Sequence, residues 1–319
     1  MRIDLTNPIF SDEEKARAYL ENERWPDGVC CPFCQSKEAV SGLNSAAHGK
    51  GWFHCTACRK LFTVRVGSVM ERSHVPLAKW ALAFHLMAAS KKGVSAKQLQ
   101  RMLGFTSYKT AWFMAHRIRE AMKADAGSEP VGGEGKIVES DETFVGGKRK
   151  NVHKGLPEPT KHAVHALVER GGKLRAKHVA DVTAKTLAKN MRELADLQSE
   201  LHTDDATVYY WIGKGGDRPF ASHKKVNHSQ GEYFKDGVGV QSAESFFAIL
   251  KRGITGSFHS VSEQHLQRYV EEFAFRWNTR SSLGIEDTQR AALMVKAAEG
   301  KRLTYRPTDK RTQSGQTNA

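Results

Sequence analysis

The chain has 319 residues, enough for two or three domains, with 39% hydrophobic and 26% charged residues, as is ordinary for a globular protein. Lys plus Arg outnumber Asp plus Glu by 49 to 35, a net charge of +14; such an excess favours a polyanionic partner, nucleic acid well ahead of an anionic membrane surface, because each neutralised phosphate releases condensed counterions. No apolar run approaches the roughly 18 to 20 residues that span a bilayer, and MRIDLTNPIF lacks the basic-then-apolar layout of a signal peptide, so a cytoplasmic protein without a membrane partner is expected.

Residues 1–22 carry SDEEKARAYLENE, an amphipathic helix signal with Ser11 as the expected N-cap and Glu14 as its box partner. Residues 23–70 hold all five cysteines, so the rest of the chain has no means of forming disulfides. Cys31, Cys34, Cys55 and Cys58 make two CxxC pairs, each followed by β-type residues, and this spacing predicts a structural zinc ribbon. A two-residue gap folds into a tight knuckle that lets both thiolates reach one tetrahedral Zn²⁺. So small and polar a segment needs such a staple to fold. Cys30 is left over; it could replace Cys31, but Cys31 with Cys34 gives the standard gap. His54 beside Cys55 reads as a packing or surface residue.

Residues 75–123 become helical. PLAKWALAFHLMAASKKG ends at Gly93, and VSAKQLQRMLGFTSYKTAWFMAHRIREAM has the form of a helix-turn-helix, with Ser95 capping one helix and Thr106 or Ser107 the next. Ser107, Tyr108 and Lys109 would stand where a recognition helix meets DNA. A plain helical hairpin with Trp112, Phe113, Ile118 and Met122 as core fits the same pattern. Residues 124–135, ADAGSEPVGGEG, read as a linker.

Residues 136–280 have the pattern of an α/β domain. KIVESDETFVGG is a strand, KHAVHALVERGGKLRAKHVA a hairpin turning at Gly171 and Gly172, and TAKTLAKNMRELA a helix capped by Thr183. SELHTDD is a further strand, QSAESFFAILKRG a helix, and SVSEQHLQRYVEEFAFRWNTR a second long one. Strand, hairpin, helix, strand, helix is the order of an RNase H-like sheet. Residues 281–319 form a C-terminal extension whose polar end, from about Thr308, is expected to be disordered.

Three acids fall at telling places in that order. Asp141 lies in the first strand, Asp204 ends the later one, and Glu244 stands in the first turn of the helix after it. Hard cations take oxygen ligands, and two Mg²⁺ or Mn²⁺ ions about 3.5 to 4 Å apart need a bridging carboxylate, so an ordered trio in a basic protein predicts a two-metal phosphoryl-transfer site. Singly, each acid has a plainer account: a solvated strand end, an N-cap and a first-turn helix acid. Lys251 lies seven residues beyond Glu244, on the same helix face, where it would either hold a phosphate or be a surface lysine of the run LKRG.

The segments ESDETFVGGKRK, HTDD, HKKVNHSQGEYF and AESFFAILKRGITGSFHSVSEQHLQRYVEEFAFRWNTR, preceded by RWPDGVCCPFC and CTACRKLF, resemble bacterial insertion-sequence transposases of the IS1595 group with its ISXO-like domain. The resemblance runs from Arg24 to Arg280. It implies that Asp141, Asp204 and Glu244 bind Mg²⁺ and that Lys251 completes a DDEK pattern, while the neighbouring Glu142 and Asp205 are not selected. Gln241 stands where many relatives have asparagine; that removes an asparagine as third ligand and leaves the role of Gln241 open. Asn227, His228 and His259 fall in family-like segments, as positioning groups for a scissile phosphate or as structural residues. Lys148, Arg149, Lys150 and Arg252 are candidate DNA contacts, the first three in the basic run GGKRKNVHKG.

The expected activity is therefore DNA transposition: binding of terminal inverted repeats, metal-dependent strand cleavage and joining to target DNA, by a homo-oligomer on DNA in a bacterial cytoplasm. A nuclease or resolvase that cuts without joining, and a DNA-binding regulator using only ribbon and helices, are the other readings.

Overall fold

The structure, a computed structural model, describes residues 4–43, 49–125, 127–146, 161–212, 219–227, 230–232 and 234–304. The chain divides into two compact units, one comprising Met1–Ala89, Ala96–Met122 and Asp287–Ala319, the other Ser90–Ser95 and Lys123–Glu286. The second is thus an insertion within the first.

In the first unit α1 (Glu13–Arg24) begins one residue later than the sequence suggests. Asp12, not Ser11, is the N-cap: its carboxylate accepts the Lys15 N–H at 2.9 Å. The reason is the preceding 3₁₀ turn Pro8–Phe10, which uses the Ser11 N–H to close on the Pro8 carbonyl and leaves Asp12 in extended backbone. Glu14 is drawn to Lys50 at 2.8 Å instead of serving a capping box. Strands β1 (Val40–Leu43), β2 (Trp52–Cys55) and β3 (Lys60–Phe62) form an antiparallel sheet in that order. Behind it Trp25, Phe53 and Phe62 meet edge-on or stacked. The buried Arg24 guanidinium donates to the Val64 carbonyl at 2.6 Å and the Val66 carbonyl at 2.8 Å.

Helices α2 (Leu77–Ala89), α3 (Ala96–Met102) and α4 (Tyr108–Met122) follow. Glu13 of α1 caps α2 from outside, its carboxylate accepting the Leu77 and Ala78 N–H groups at 2.7 and 3.1 Å. Residues 281–319, read as an extension, contain the unit's last helix, Asp287–Lys296, which packs on α1, α2 and α4 and buries Met294 and Val295. The segment from residue 308, expected to be disordered, lies outside the described residues.

The second unit opens with β4 (Val131–Gly132), inside the stretch read as linker. Val131 is apolar and buried, and a linker reading gave it nowhere to go. Next come β5 (Ile137–Gly146), β6 (Lys161–Glu169), β7 (Leu174–Val179), α5 (Ala184–Leu194), β8 (Ala195–Asp196, parallel to β4), β9 (Glu200–Asp204), β10 (Ser222–Val226), β11 (Phe234–Lys235), β12 (Val238–Gly239), α6 (Gln241–Gly253) and α7 (Glu263–Asn278), leaving Asp287–Lys296 as α8. The main sheet has the order β10-β9-β5-β6-β7, with β5, β6 and β7 antiparallel and β9 and β10 parallel to their neighbours.

Both faces of this sheet are covered, so β6 reads as an almost unbroken buried run, Ala163 to Val168. Val164, Ala166 and Val168 face α6 and α7 together with Phe246, Leu250, Val270 and Phe273. Leu167 faces the other way, with Val138, Leu201, Leu187 and Met191 of the α5 side. α6 approaches α7 closely at Gly253, where an added Cβ would stand 2.1 Å from the Phe273 ring and 3.0 Å from the Lys92 carbonyl oxygen. Gly253→Ala should therefore lower the unfolding free energy by about 1–3 kcal/mol, the usual scale of overpacking; an unchanged urea midpoint would show that the contact is soft.

Candidate active site

β5 pairs with β9 from Ile137 opposite Glu200 to Glu139 opposite His202. The pairing ends there, with Asp141 two residues beyond it on β5 and Asp204 two residues beyond it on β9. Asp141 is paired with Ala166 of β6, and cross-strand partners share a face. Since Ala166 belongs to the core beneath α6, Asp141 projects on the α6 side. Glu244, exposed in the first turn of α6, completes the group.

The electrostatics record this convergence. Burial pushes the Asp141 carboxyl up to about 8; the Glu142 N–H, bonded to Oδ1 at 2.8 Å, opposes the shift, and the charges of Glu142, Asp204 and Glu244 add to it. Burial and neighbouring negative charge thus raise the proton affinity of Asp141, as expected of an oxygen donor set among others for cations.

The buried carboxylate of Glu139 was not singled out from the sequence. It accepts the Ser242 N–H at 2.6 Å, the Ala243 N–H at 3.3 Å and the Ser242 hydroxyl at 3.1 Å, and it pairs with Arg170 at 2.9 Å. α6 has Val240 at its N-cap, a residue with no side-chain acceptor, so Glu139 supplies the cap. That missing cap is the signal that could have revealed it.

Glu142 points to the opposite face. It accepts the Tyr209 hydroxyl at 2.6 Å, and Tyr209 lies 3.4 Å from Ser140 Oγ, which meets His165 Nε2 at 2.9 Å. Burial raises Glu142 against the Tyr209 bond and lowers His165 to about 4, so His165 is neutral at physiological pH. Beside Asp204 a cavity of about 470 Å³ is lined by Tyr209, Tyr210, His223 and Lys225 among others, and Lys225 Nζ sits 4.9 Å from the Tyr210 ring centroid.

Other predicted residues fall elsewhere. Lys251 is exposed on α6 with no ion pair to Glu244 among the described residues. Arg252 is exposed and bonds back to the Ala248 carbonyl at 3.0 Å. Asn227 closes its own turn, its side chain accepting the Gln230 N–H at 3.1 Å, and His259 ends the π-helical turn Ile254–Phe258 at a φ of 62°. Lys148, Arg149, Lys150 and His228 lie outside the described residues. Ser107, Tyr108 and Lys109 are exposed at the start of α4, in the first unit.

Two groups have the geometry of metal ligands. Ligand atoms of Cys31, Cys34, Cys55 and Cys58 lie within 4.8 Å of one another. Cys30 lies outside that group, its thiol directed at the Gln35 carbonyl at 3.4 Å. The four thiols share their protons unevenly: the Cys58 N–H draws Cys55 down, whereas its bond to Cys55 holds Cys34 up and burial raises Cys58. The set suits a structural Zn²⁺.

His162, His178 and Glu263 form the second group, also within 4.8 Å and a candidate metal site of the second unit. Two imidazoles and one carboxylate suit a borderline transition metal better than Mg²⁺. His162 is opposite Val145, four residues or about 13 Å along β5 from Asp141, so this group is separate from the three acids.

Five mixed strands in this order with acids on strand, strand and helix, carried with a four-cysteine ribbon, define a protein with an RNase H-like domain of the DDE transposase kind. The ISXO2-like transposase domain matches residues 132–278, and a transposase zinc-ribbon domain matches residues 11–61. The chain belongs to the IS1595 family of DDE transposases. It is similar to an uncharacterized protein in transposable element ISH50 of Halobacterium salinarum, 28% identical over 84% of this chain and 91% of that one. A chain of the simian T-cell lymphotropic virus intasome in complex with PP2A regulatory subunit B56 gamma aligns over 61% of this chain and 67% of its own, at 15% identity and a TM-score of 0.28. No helix among the described residues is long and apolar enough to cross a membrane.

The acid cluster and the ribbon are each open to test. With Asp141 raised above its unfolded value near 3.8, the native state binds the extra proton between about pH 4 and 8, and stability falls as pH rises through that window. Without added divalent cations, Asp141→Asn should flatten this slope in thermal melts and melt higher than wild type at pH 8; parallel profiles would refute the crowding. Cys55→Ser should lose tightly bound zinc by elemental analysis and expose the ribbon to proteolysis, whereas unchanged zinc content would overturn the ribbon assignment.

Proposed function

We propose that the protein is an active transposase, binding the terminal inverted repeats of its element through the ribbon and helices and using Asp141, Asp204 and Glu244 to cut a strand and join it to target DNA. The observation that carries this reading is that the charges of Asp204 and Glu244 both reach Asp141, which burial and its neighbours' charge push to about 8. An acid cluster of that kind is unfavourable by itself and suits a site that takes divalent cations.

These three side chains would hold two Mg²⁺ or Mn²⁺ ions, which when bound supply activation of the attacking oxygen and stabilisation of the leaving one. In cleavage a water oxygen attacks phosphorus and the P–O3′ bond breaks, leaving a 3′-hydroxyl and a 5′-phosphate. In joining, that 3′-hydroxyl attacks a target phosphodiester, and a target 3′-hydroxyl leaves with a proton from solvent. No oxidant or covalent protein intermediate is needed. Lys225 beside Asp204, and Lys251 on α6, are placed on the elements that carry or adjoin the acids and would hold phosphates. Glu139 keeps the first turn of α6 at β5, so the acids need no rearrangement to converge. Paired DNA ends call for more than one chain, and a homo-oligomer on DNA belongs to this reading.

A strand-transfer assay on DNA carrying the element's ends, with Mg²⁺, tests it. Wild type should cut and join, and Asp141→Asn should lose both by roughly 10²–10³-fold or more, the scale of removing one element of a preorganised electrostatic site, while still binding DNA. Cleavage without joining would mean a nuclease, and binding without metal-dependent chemistry a regulator.

A further inference from the structure

The first unit contains an arginine whose charge is not accounted for. Arg117, in the last half of α4, is 9% exposed, and its Nε has no hydrogen-bond partner. No ion pair compensates it among the described residues. The unit treats comparable groups otherwise: Arg24, whose Nε is likewise unbonded, has three carbonyl acceptors and Glu299 at 3.6 Å, and Arg290 has the Ala88 carbonyl at 3.0 Å and Asp287 at 2.5 Å. Glu71 is the carboxylate whose charge reaches Arg117, but its oxygens already serve the Gly67 N–H at 3.0 Å, Arg302 at 3.7 Å and Arg72 at 3.9 Å. Removing a guanidinium from water without a counter-charge is strongly unfavourable, and arginine does not escape by losing its proton.

Arg117 lines a cavity of about 480 Å³ together with Arg72, His74, Trp80, Lys109 and Phe113. Lys109, Phe113 and Arg117 are spaced i, i+4, i+8 and form one stripe of α4. The guanidinium lies 4.6 Å from the Phe113 ring centroid, which fixes it against the cavity wall. The cavity therefore has apolar walls, two exposed cations at its rim, Arg72 and Lys109, and one fixed cation set into it. Apolar walls do not suit a small hydrated anion. They suit a phosphodiester whose sugar packs on Phe113 while its oxygens reach the guanidinium.

We infer that this cavity is a phosphate-binding pocket that seats one backbone phosphate of DNA, with Arg117 as its buried anchor and Lys109 at its entrance. The site deepens the proposed DNA-binding function and rests on it. It also supplies a contact that the start of α4 alone does not have, because the pocket reaches two turns deeper along the helix.

The full chain and its variants should be titrated against an end-bearing duplex by fluorescence anisotropy at several salt concentrations, with thermal melts in parallel. Arg117→Met should weaken binding about tenfold and reduce the salt slope by about 0.9, the value for one phosphate, yet melt no lower than wild type without DNA, because a buried unpaired charge has been removed. Lys109→Ala, at an exposed position, should weaken binding without touching the fold and decides the matter if Arg117→Met does not fold. Unchanged affinity and slope in the soluble variants would overturn the pocket and make Arg117 a packing residue. Wild type that binds no DNA would sink the proposed function instead. In that case a dinucleoside monophosphate, a phosphodiester with its sugars, against chloride at matched ionic strength judges the pocket: stabilisation of wild type but not of Arg117→Met keeps it, and equal shifts overturn it.

Discussion

The second unit depends on one buried ion pair. Glu139 sits in β5 with its carboxylate out of water, and an uncompensated carboxylate there would be strongly destabilising. It is stabilised from two sides, by the first-turn N–H groups of α6 and by Arg170 at 2.9 Å. Arg170 in turn meets His202 Nδ1 of β9 at 3.2 Å and the carbonyls of Gly237 and Gly239 at 2.6 and 3.0 Å. A single connected set of charge-assisted bonds therefore fixes β5, β9 and the start of α6 relative to one another. These are the three elements that carry Asp141, Asp204 and Glu244. Satisfying Glu139 therefore ties together the elements on which the acids stand.

Strand parity separates the roles of adjacent acids. Glu139 and Asp141 lie two residues apart on the face that receives α6, one serving the fold and the other crowded with like charge. Glu142, the next residue, turns to the α5 side, where the Tyr209 hydroxyl takes it up and Ser140 and His165 continue the network. A one-residue slip of β5 would exchange these environments, placing Asp141 against Tyr209 and removing the cap of α6. The run Glu139-Ser140-Asp141-Glu142 holds four polar residues in a mostly buried strand because each has a partner or neighbour of its own.

Much of this was legible in the sequence where local chemistry decides it. Paired CxxC knuckles fix the ribbon, Gly171-Gly172 fix the β6–β7 hairpin, and Thr183 caps α5 as expected, accepting the Thr186 N–H. The order of strands and helices placed the three acids on the right kinds of element. What remained hidden depends on partners distant in sequence. Glu139 looked like one more strand acid until Ser242, 103 residues later, presented its N–H. Val131 looked like linker because its pairing partner is the short strand β8. Asp12 displaced Ser11 because a 3₁₀ turn had already used the serine's backbone. Arg117 carries no signal of its own in the sequence, and only the cavity beside it and the occupied oxygens of Glu71 make it unusual.

The two units treat charge in contrasting ways that follow from the same physics. Where geometry must be held, at Glu139 with Arg170 or at Arg24 with its carbonyls, buried charges are neutralised inside the fold, and such sites need nothing from outside. Elsewhere the fold leaves charge unresolved, as in the negative cluster around Asp141, raised to about 8, and at the Arg117 guanidinium, whose Nε has no hydrogen-bond partner and which forms no ion pair among the described residues. An internal partner at either place would have been simple to supply, since a lysine or a carboxylate would suffice. In the proposed reading a ligand of opposite sign completes each site, cations in one unit and a phosphate in the other. The proposed phosphoryl transfer calls for both ligands, and these two unresolved charges have the signs that the ligands require.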